Sequence, residues 1–252
     1  MKSKYALLLL GCTIVFDCRL CAADHTDTTI AEIAVRANFS EIIIPTPKGY
    51  LAVSKVDPLL KELWEGNLKD REKIAVYISP IDKSSVQQGN APVLIRQAFV
   101  ASTGLFSDLF FNDRDFQQYK DMMRGMTKKT NQGGFQSVAD LVEAERQSTY
   151  RISDVTMVQS SFATDRILLT LMVGTEPETR EDNGRPLRFA KACAFVNVRG
   201  NLICCYMLGK PSELLELESG CFKWAEEIVA RNPSTMFERL REFFPFHSAY
   251  TE

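Results

Sequence analysis

Four apolar runs of strand length follow one another in the second half of the chain, and they constrain the fold more than any other feature. Each run is rich in β-branched, aromatic or small residues, and short turns or one acidic loop at 175–186 separate the runs. Because strands joined by turns pair with their chain neighbours, the pattern predicts an antiparallel four-strand meander. The predicted strands are Ile152–Gln159, Ile167–Val173, Leu187–Val198 and Leu202–Leu208.

Helical periodicity flanks this meander. A segment over 113–126 and a C-terminal segment around 212–231 each carry an apolar stripe at helical spacing. Ala190, Ala192 and Ala194 alternate along one predicted strand, and such small side chains let a helix approach closely. We therefore expect the C-terminal helix to cover that face of the sheet. Strands followed by segregated helices predict the α+β class, with an antiparallel sheet packed by helices.

The first half adds shorter elements. Alternating apolar residues predict strands over 73–79 and 93–102. Asp57 before Pro58 is typical of a helix start, because Asp caps the helix and Pro suits its first turn. The other predicted elements are a short strand over Tyr50–Ser54, a helix from Ser137 to about Gln147 and a helix starting near Asn232 and Pro233.

The composition fits one globular domain. Of the 252 residues, 45% are hydrophobic and 25% are charged, which is ordinary for a folded protein. Residues 24–40 are polar, and we expect a flexible N-terminal segment there. No linker rich in Pro, Gly and Ser divides the remainder, so residues 41–248 are predicted to form a single domain.

Residues 1–23 have the pattern of a signal peptide. Lys2 and Lys4 provide a positive start, and the apolar stretch from Ala6 to Phe16 is too short to span a bilayer. Small residues then precede Asp24, where we expect cleavage. The sequence thus predicts an exported protein, periplasmic or secreted, with no transmembrane span.

A lipid anchor is the alternative for this N-terminus. Leu9, Leu10 and Gly11 precede Cys12 in an order that loosely matches a bacterial lipobox. Acylation of Cys12 would make the protein an anchored lipoprotein rather than a freely exported one. Both interpretations remain open.

Charge excludes one class of partner. The predicted signal peptide contains Lys2, Lys4, Arg19 and Asp17, so the mature chain keeps 27 of 30 basic and 31 of 32 acidic residues, a net charge of −4. A mildly acidic protein has no general attraction for nucleic acid, so we expect no nucleic-acid partner.

Most catalytic motifs are absent from the sequence. His25 and His247 are the only histidines, which excludes a His-rich zinc site. No Gly-x-Ser-x-Gly elbow is present, and Gly133-Gly134 has neither the P-loop nor the Rossmann spacing. The sequence predicts no cofactor and no metal, names no catalytic residue, and favours a protein that is not an enzyme.

The acidic residues that lie close together in the sequence are mainly expected to have structural roles. Asp113 is expected to cap the 113–126 helix with Asp115 in its first turn, although this segment could also offer oxygen ligands to calcium. Glu143 and Glu145 point in different directions on their predicted helix, which disfavours an acid/base pair. The remaining carboxylates lie in the 175–186 loop, a weak candidate for a partner site: Glu176, Glu178, Glu181 and Asp182.

The cysteines offer one specific prediction. If Arg199-Gly200 forms a two-residue turn, Ala194 faces Cys205, and Cys205 shares the small-residue face that the C-terminal helix covers. Cys221 lies on the apolar stripe of that helix, so Cys205–Cys221 is the preferred disulfide of an exported chain. A one-residue change in the turn would place Cys204 there instead. The alternative is that Cys193, Cys204, Cys205 and Cys221 are all buried free thiols.

Three segments resemble a loose group of uncharacterised bacterial exported and envelope proteins. They are Pro45–Tyr50 (PTPKGY), Val196–Leu202 (VNVRGNL) and Trp224–Asn232 (WAEEIVARN), and the resemblance spans roughly 41–232. The order of elements also resembles the α/β/α sandwich of PsbP/Mog1-type proteins. That resemblance implies a mostly non-catalytic binding or assembly role.

Three functional hypotheses follow. The first is an exported, non-catalytic protein that binds an envelope protein or a small ligand. The second is an envelope hydrolase or transferase that uses carboxylates or a thiol, with Cys204 or Cys205 as the nucleophile. The third is a lipid-anchored component of a surface assembly, which requires acylated Cys12.

Overall fold

The structure is a computed structural model and describes residues 32–37, 40–54, 57–61, 63, 73–90, 92, 94–102, 110–130, 156–180 and 186–235. Its strands are β1 (Glu32–Ala37), β2 (Ser40–Pro45), β3 (Leu51–Ala52), β4 (Lys73–Ile78), β5 (Gln97–Ser102), β6 (Thr156–Ala163), β7 (Ile167–Arg180), β8 (Pro186–Val198) and β9 (Asn201–Gly209). Its helices are α1 (Pro80–Gln87), α2 (Asp113–Thr130) and α3 (Leu214–Arg231), with a 3₁₀ turn at Pro211–Glu213 before α3.

Seven strands form one antiparallel sheet in the order β3-β4-β5-β9-β8-β7-β6. The last four strands are neighbours in chain order, so the predicted four-strand meander is confirmed. Helices pack on the sheet, and the single-domain α+β class is confirmed with them.

The β8–β9 turn fixes the register of the central strands. Arg199 and Gly200 both have positive φ, 51° and 76°, as a tight two-residue hairpin requires. Gly200 is needed for a second reason, because a Cβ at this position would clash with the Phe110 ring. Ala194 therefore lies opposite Cys205, and this part of the cysteine prediction is confirmed.

The α3 layer, as we call the packing of α3 on one face of the sheet, is closed and apolar apart from Glu218, which is 6% exposed and accepts a hydrogen bond from the Ser160 hydroxyl. The three alternating alanines of β8 are fully buried beneath the helix, as predicted from their size. The α3 side chains that share their core are all at most 5% exposed: Leu214, Leu217, Cys221, Trp224, Ala225 and Ile228.

The antiparallel β1–β2 hairpin extends this layer, and polar side chains hold it there. The Asn232 amide donates to the Ile43 carbonyl oxygen at 2.7 Å and accepts from the Ile43 N–H at 2.8 Å. Trp224 Nε1 donates to the Pro45 carbonyl oxygen at 2.8 Å. Part of the segment expected to be flexible, Glu32–Ala37, is thus a paired strand.

The α2 face is the opposite side of the sheet, which α2 and its aromatic side chains cover. Tyr119 packs against Phe195 of β8 with ring centroids 5.4 Å apart, and Phe116 is fully buried beside it. Asn112, and not Asp113, caps α2: its Oδ1 accepts from the Asp115 N–H at 2.8 Å, and its N–H donates to Asp115 Oδ2. Asn112 rather than Asp113 is the cap because its side chain reaches the Asp115 N–H from the position before the first turn.

Two further elements differ from expectation. Helix α1 was not predicted, although Ser79 caps it and Pro80 opens it. The acidic loop is shorter than 175–186, because the ladder continues through Thr175 and Glu176 and β7 extends to Arg180. Backbone hydrogen bonds do not require apolar side chains, so the pairing of β7 with β8 extends beyond the apolar residues from which the strands were predicted.

Several sequence predictions lie outside the described residues. These are the signal peptide 1–23 with Cys12, the helix after Ser137, most of the helix after Asn232, and both histidines. In the described part of the chain, no helix is long and apolar enough to cross a membrane.

Candidate functional site

The most elaborate polar cluster lies at one end of the sheet, around Arg96. Its guanidinium binds Asp82 in a fork, with Nε 3.1 Å from Oδ2 and Nη2 3.1 Å from Oδ1. The Arg96 backbone N–H also donates to Asp82 Oδ2, at 2.7 Å. Asp82 stands in the first turn of α1, where its own N–H donates to the Ser79 hydroxyl oxygen. The fork fixes the start of β5 to α1.

Glu213 and Tyr50 complete the cluster. Glu213 Oε1 lies 3.6 Å from Arg96 Nη1, and Glu213 Oε2 accepts from the Lys210 N–H at 2.9 Å. Burial raises the pKa of Tyr50 to about 12, and the negative charge of Glu213 adds to the rise. Tyr50 therefore stays a neutral phenol at physiological pH.

The charges of Asp82 and Arg96 are fixed at neutral pH. Burial of Asp82 pushes its pKa upward, but hydrogen bonds from Arg96 and Ser79 outweigh it and hold the pKa below the ordinary value of 3.8. The hydrogen bond to Asp82 keeps the pKa of Arg96 above its ordinary value. Neither group changes protonation near neutral pH, so the arrangement suits a fixed binding surface better than proton transfer.

Two large exposed apolar side chains adjoin this ion network in sequence. Ile81 of α1, next to Asp82, is 67% exposed, and Leu215 of α3, two residues after Glu213, is 55% exposed. Leu51 of β3 is 41% exposed, but it pairs with Ile78 of the α2-side core and therefore points to the face opposite α3. We call the surface that carries Ile81, Leu215, Tyr50, Asp82, Arg96 and Glu213 the Arg96 end.

The predicted disulfide partners lie together in the α3 layer. Cys205 and Cys221 are both fully buried there, and the Cys221 thiol donates to the Cys205 carbonyl oxygen at 3.5 Å. Both are free thiols in the structure, so the bond between them stays a prediction. Burial raises the pKa of each thiol well above its ordinary value.

The same burial bears on the thiol-enzyme hypothesis. Cys204 lies on the α2 face and Cys205 on the α3 side, and both are 0% exposed. A nucleophilic thiol needs access to substrate and a lowered pKa. The geometry of these two cysteines gives that hypothesis no support.

The acidic candidates are not brought into one site. Asp113 accepts a hydrogen bond from Asn197 Nδ2 at 3.4 Å, and Asp115 belongs to the α2 cap. No group of three or more His, Cys, Asp or Glu side chains within the described ranges could hold a metal ion. Glu143, Glu145, Glu181 and Asp182 lie outside those ranges, and the side chains of Glu176 and Glu178 are not described.

Sequence reasoning missed every charged member of the Arg96 end. One signal was present for Asp82, because Ser79-Pro80 followed by an acidic residue is typical of a helix N-terminus. No local signal links Arg96 to Glu213, since β9 must first lie beside β5 to bring them together.

Comparison with known proteins gives no family for the chain. No protein-family model matches it, and no curated protein matches it.

Proposed function

We propose that this chain is an exported, non-catalytic protein that binds a protein partner of the cell envelope through the Arg96 end. The observation that carries the proposal is the polarity of that surface. Its ions are paired, with Asp82 buried, while Ile81 and Leu215 beside them in sequence are exposed. Exposed apolar side chains beside polar groups are typical of protein interaction sites.

The rigidity of the surface supports the same proposal. The forked pair between Arg96 and Asp82 ties α1 to β5, and the contact with Glu213 ties both to the start of α3. A preorganised surface binds with less ordering cost than a flexible one. The backbone segments that carry Ile81 and Leu215 are therefore held in place for a partner.

Export is the second part of the proposal and rests on residues 1–23. The test is the intact mass of the protein recovered from its host. A chain that starts at Asp24 supports export as a free protein. A diacylglyceryl mass on Cys12 would replace this with the lipid-anchored hypothesis, and an uncleaved chain would contradict both.

Site-specific photo-crosslinking in the host tests the binding surface. A photoreactive residue is placed at position 81 or 215, and matched controls are placed at Leu59 and Met122, which are 60% and 48% exposed elsewhere on the protein. We expect positions 81 and 215 to cross-link the same envelope protein and the two controls to cross-link none. Equal products from all four positions, or none from 81 and 215, would refute the proposal.

The same experiment separates two other occupants. A product of twice the chain mass would identify a second copy of this chain as the partner, and would contradict the proposed envelope partner. Native mass spectrometry of the purified protein detects a small ligand, and a bound adduct lost on Ile81→Asp would favour the small-ligand alternative.

A further inference from the structure

A glycine at the end of β9 lies close to the Glu213 carboxylate. Gly209 is buried and pairs with Ala190 of β8, so the sheet fixes its position. A Cβ built on Gly209 would lie 2.5 Å from Glu213 Oε2, closer than real contacts of a Cβ atom. Its next neighbours, two methyl carbons of Leu217, would be at an ordinary contact distance of 3.4 Å. Gly209 does not have the positive φ that favours glycine, so the carboxylate is what requires the missing side chain.

The Glu213 carboxylate closes the turn that precedes α3. Its Oε2 accepts from the Lys210 N–H at 2.9 Å, and the Glu213 N–H donates to the Lys210 carbonyl oxygen at 2.9 Å. Two hydrogen bonds between the same two residues thus hold the 3₁₀ turn Pro211–Glu213. Because α3 begins at Leu214, this turn sets the position of Leu215 in the first turn of the helix.

The other oxygen of the same carboxylate reaches the ion network. Glu213 Oε1 lies 3.6 Å from Arg96 Nη1, and Arg96 is fixed to Asp82 of α1 by its forked hydrogen bonds. One carboxylate therefore links the start of α3 to α1. A side chain at position 209 would displace this carboxylate, because the paired backbone of β9 is less free to move than the end of a glutamate side chain.

We propose that Gly209 is a positioning residue of the Arg96 end. It makes no contact with a partner, and acts by leaving room for the Glu213 carboxylate that ties Leu215 on α3 to Ile81 on α1. Its effect on binding rests on the proposed function, whereas its effect on the carboxylate does not.

The first test measures the carboxylate without a partner. The exchange rate of the Lys210 amide hydrogen is followed by NMR in the purified protein. Gly209→Ala should raise this rate about fivefold or more, the factor that one net hydrogen bond contributes. Gly220→Ala is the matched control, because its Cβ would meet Met207 Sδ at an ordinary 3.4 Å, and it should leave the Lys210 rate unchanged.

A second pair of variants separates positioning from packing. Glu213→Ala removes the atom that a side chain at position 209 would clash with, and leaves only the Leu217 methyl carbons nearby. Gly209→Ala should therefore raise the Lys210 rate in the wild type and have no further effect in Glu213→Ala. An alanine that merely disturbed β9 would act equally in both backgrounds.

The third measurement is cross-linking in the host from a photoreactive residue at position 81. Gly209→Ala and Glu213→Ala should lower the yield by the same factor, again about fivefold, and the double variant should lower it no further. Gly220→Ala should give the wild-type yield. A wild-type protein that gives no product would refute the proposed function and the effect of Gly209 on binding together, while the exchange rates would still decide whether Gly209 positions Glu213.

The proposal is overturned if Gly209→Ala leaves the Lys210 rate unchanged, acts equally in both backgrounds, or keeps the wild-type yield of cross-linking. Circular dichroism accompanies each variant to establish that it is folded. If Gly209→Ala alone fails to fold, the double variant with Glu213→Ala must fold, because the clash is then removed. A double variant that also fails to fold would overturn the proposal.

Discussion

The α3 layer and the Arg96 end place polar and apolar groups in opposite ways. In the α3 layer, Trp224 and Ile228 are buried against the alanines of β8, and Lys223 is exposed while Glu218 is the one buried carboxylate of the helix. At the Arg96 end, Asp82 is buried and ion-paired while Ile81, next to it in sequence, is 67% exposed.

This difference indicates which region stabilises the protein and which region is available to a partner. Burial of apolar area is the main stabilising contribution to a fold, so the α3 layer should dominate the free energy of unfolding. A buried ion pair adds little net stability because desolvation offsets its attraction. Exposed apolar side chains next to such a pair are instead typical of interaction surfaces.

The largest expected effect is in the α3 layer. Trp224→Ala removes a ring that is 2% exposed, packs edge-on against Tyr77 at 5.6 Å and bonds the Pro45 carbonyl oxygen. The loss of packing and the resulting cavity should lower the free energy of unfolding by about 3–5 kcal/mol, measured by urea denaturation. A loss below about 1 kcal/mol would contradict the closed packing assigned to this layer.

A thiol count sharpens the description of the same layer. The structure holds Cys193, Cys204, Cys205 and Cys221 as buried free thiols, so a chain starting at Asp24 should react with no thiol reagent when native and at four sites when denatured. Two reactive sites in denaturant, rising to three in Cys221→Ser because Cys205 is then released, would establish the predicted Cys205–Cys221 bond. That bond would add about 2–4 kcal/mol to the stability of the layer.

The next effect concerns Asp82. Asp82→Asn should lower the free energy of unfolding by about 1.5–3 kcal/mol at pH 7, because it weakens charged hydrogen bonds to Arg96. The folded pKa lies below the ordinary 3.8, so the contribution is complete above about pH 4 and is lost as the pH falls through the folded pKa. Denaturation of both proteins between pH 7 and pH 2 should therefore show their difference narrowing on acidification. A difference that stays constant would contradict the ion pair.

The smallest expected effect on stability is at the exposed apolar residues. Ile81→Asp should change the free energy of unfolding by less than about 0.5 kcal/mol, since Ile81 makes few buried contacts. The same change should abolish cross-linking from position 215, because a charge would then have to be desolvated in the interface. Unchanged cross-linking from position 215 in this variant would show that Ile81 does not belong to the interaction surface.

The alternation of apolar residues was enough to predict the four-strand meander of the sheet. The alternation in β7, β8 and β9 gave the meander, and the Arg199-Gly200 turn fixed the pairing of Ala194 with Cys205. These features are local in sequence, so a local pattern carries them. The β1–β2 hairpin escaped prediction because distant residues hold it, in particular Asn232 and Trp224.

The candidate site depends on long-range geometry. Tyr50, Asp82, Arg96 and Glu213 meet only because β9 pairs with β5 and α3 starts at the same end of the sheet. This arrangement leaves no signal in the hydrophobic pattern.

The most direct test of the proposed function is the size of the complex that the protein forms in its host. Wild type, Ile81→Asp/Leu215→Asp and the matched control Leu59→Asp/Met122→Asp are compared by size-exclusion chromatography of envelope extracts. We expect wild type and control to elute in a larger complex and the first double variant to elute as a folded monomer. Identical elution of all three proteins would contradict the assignment of the Arg96 end as the binding surface.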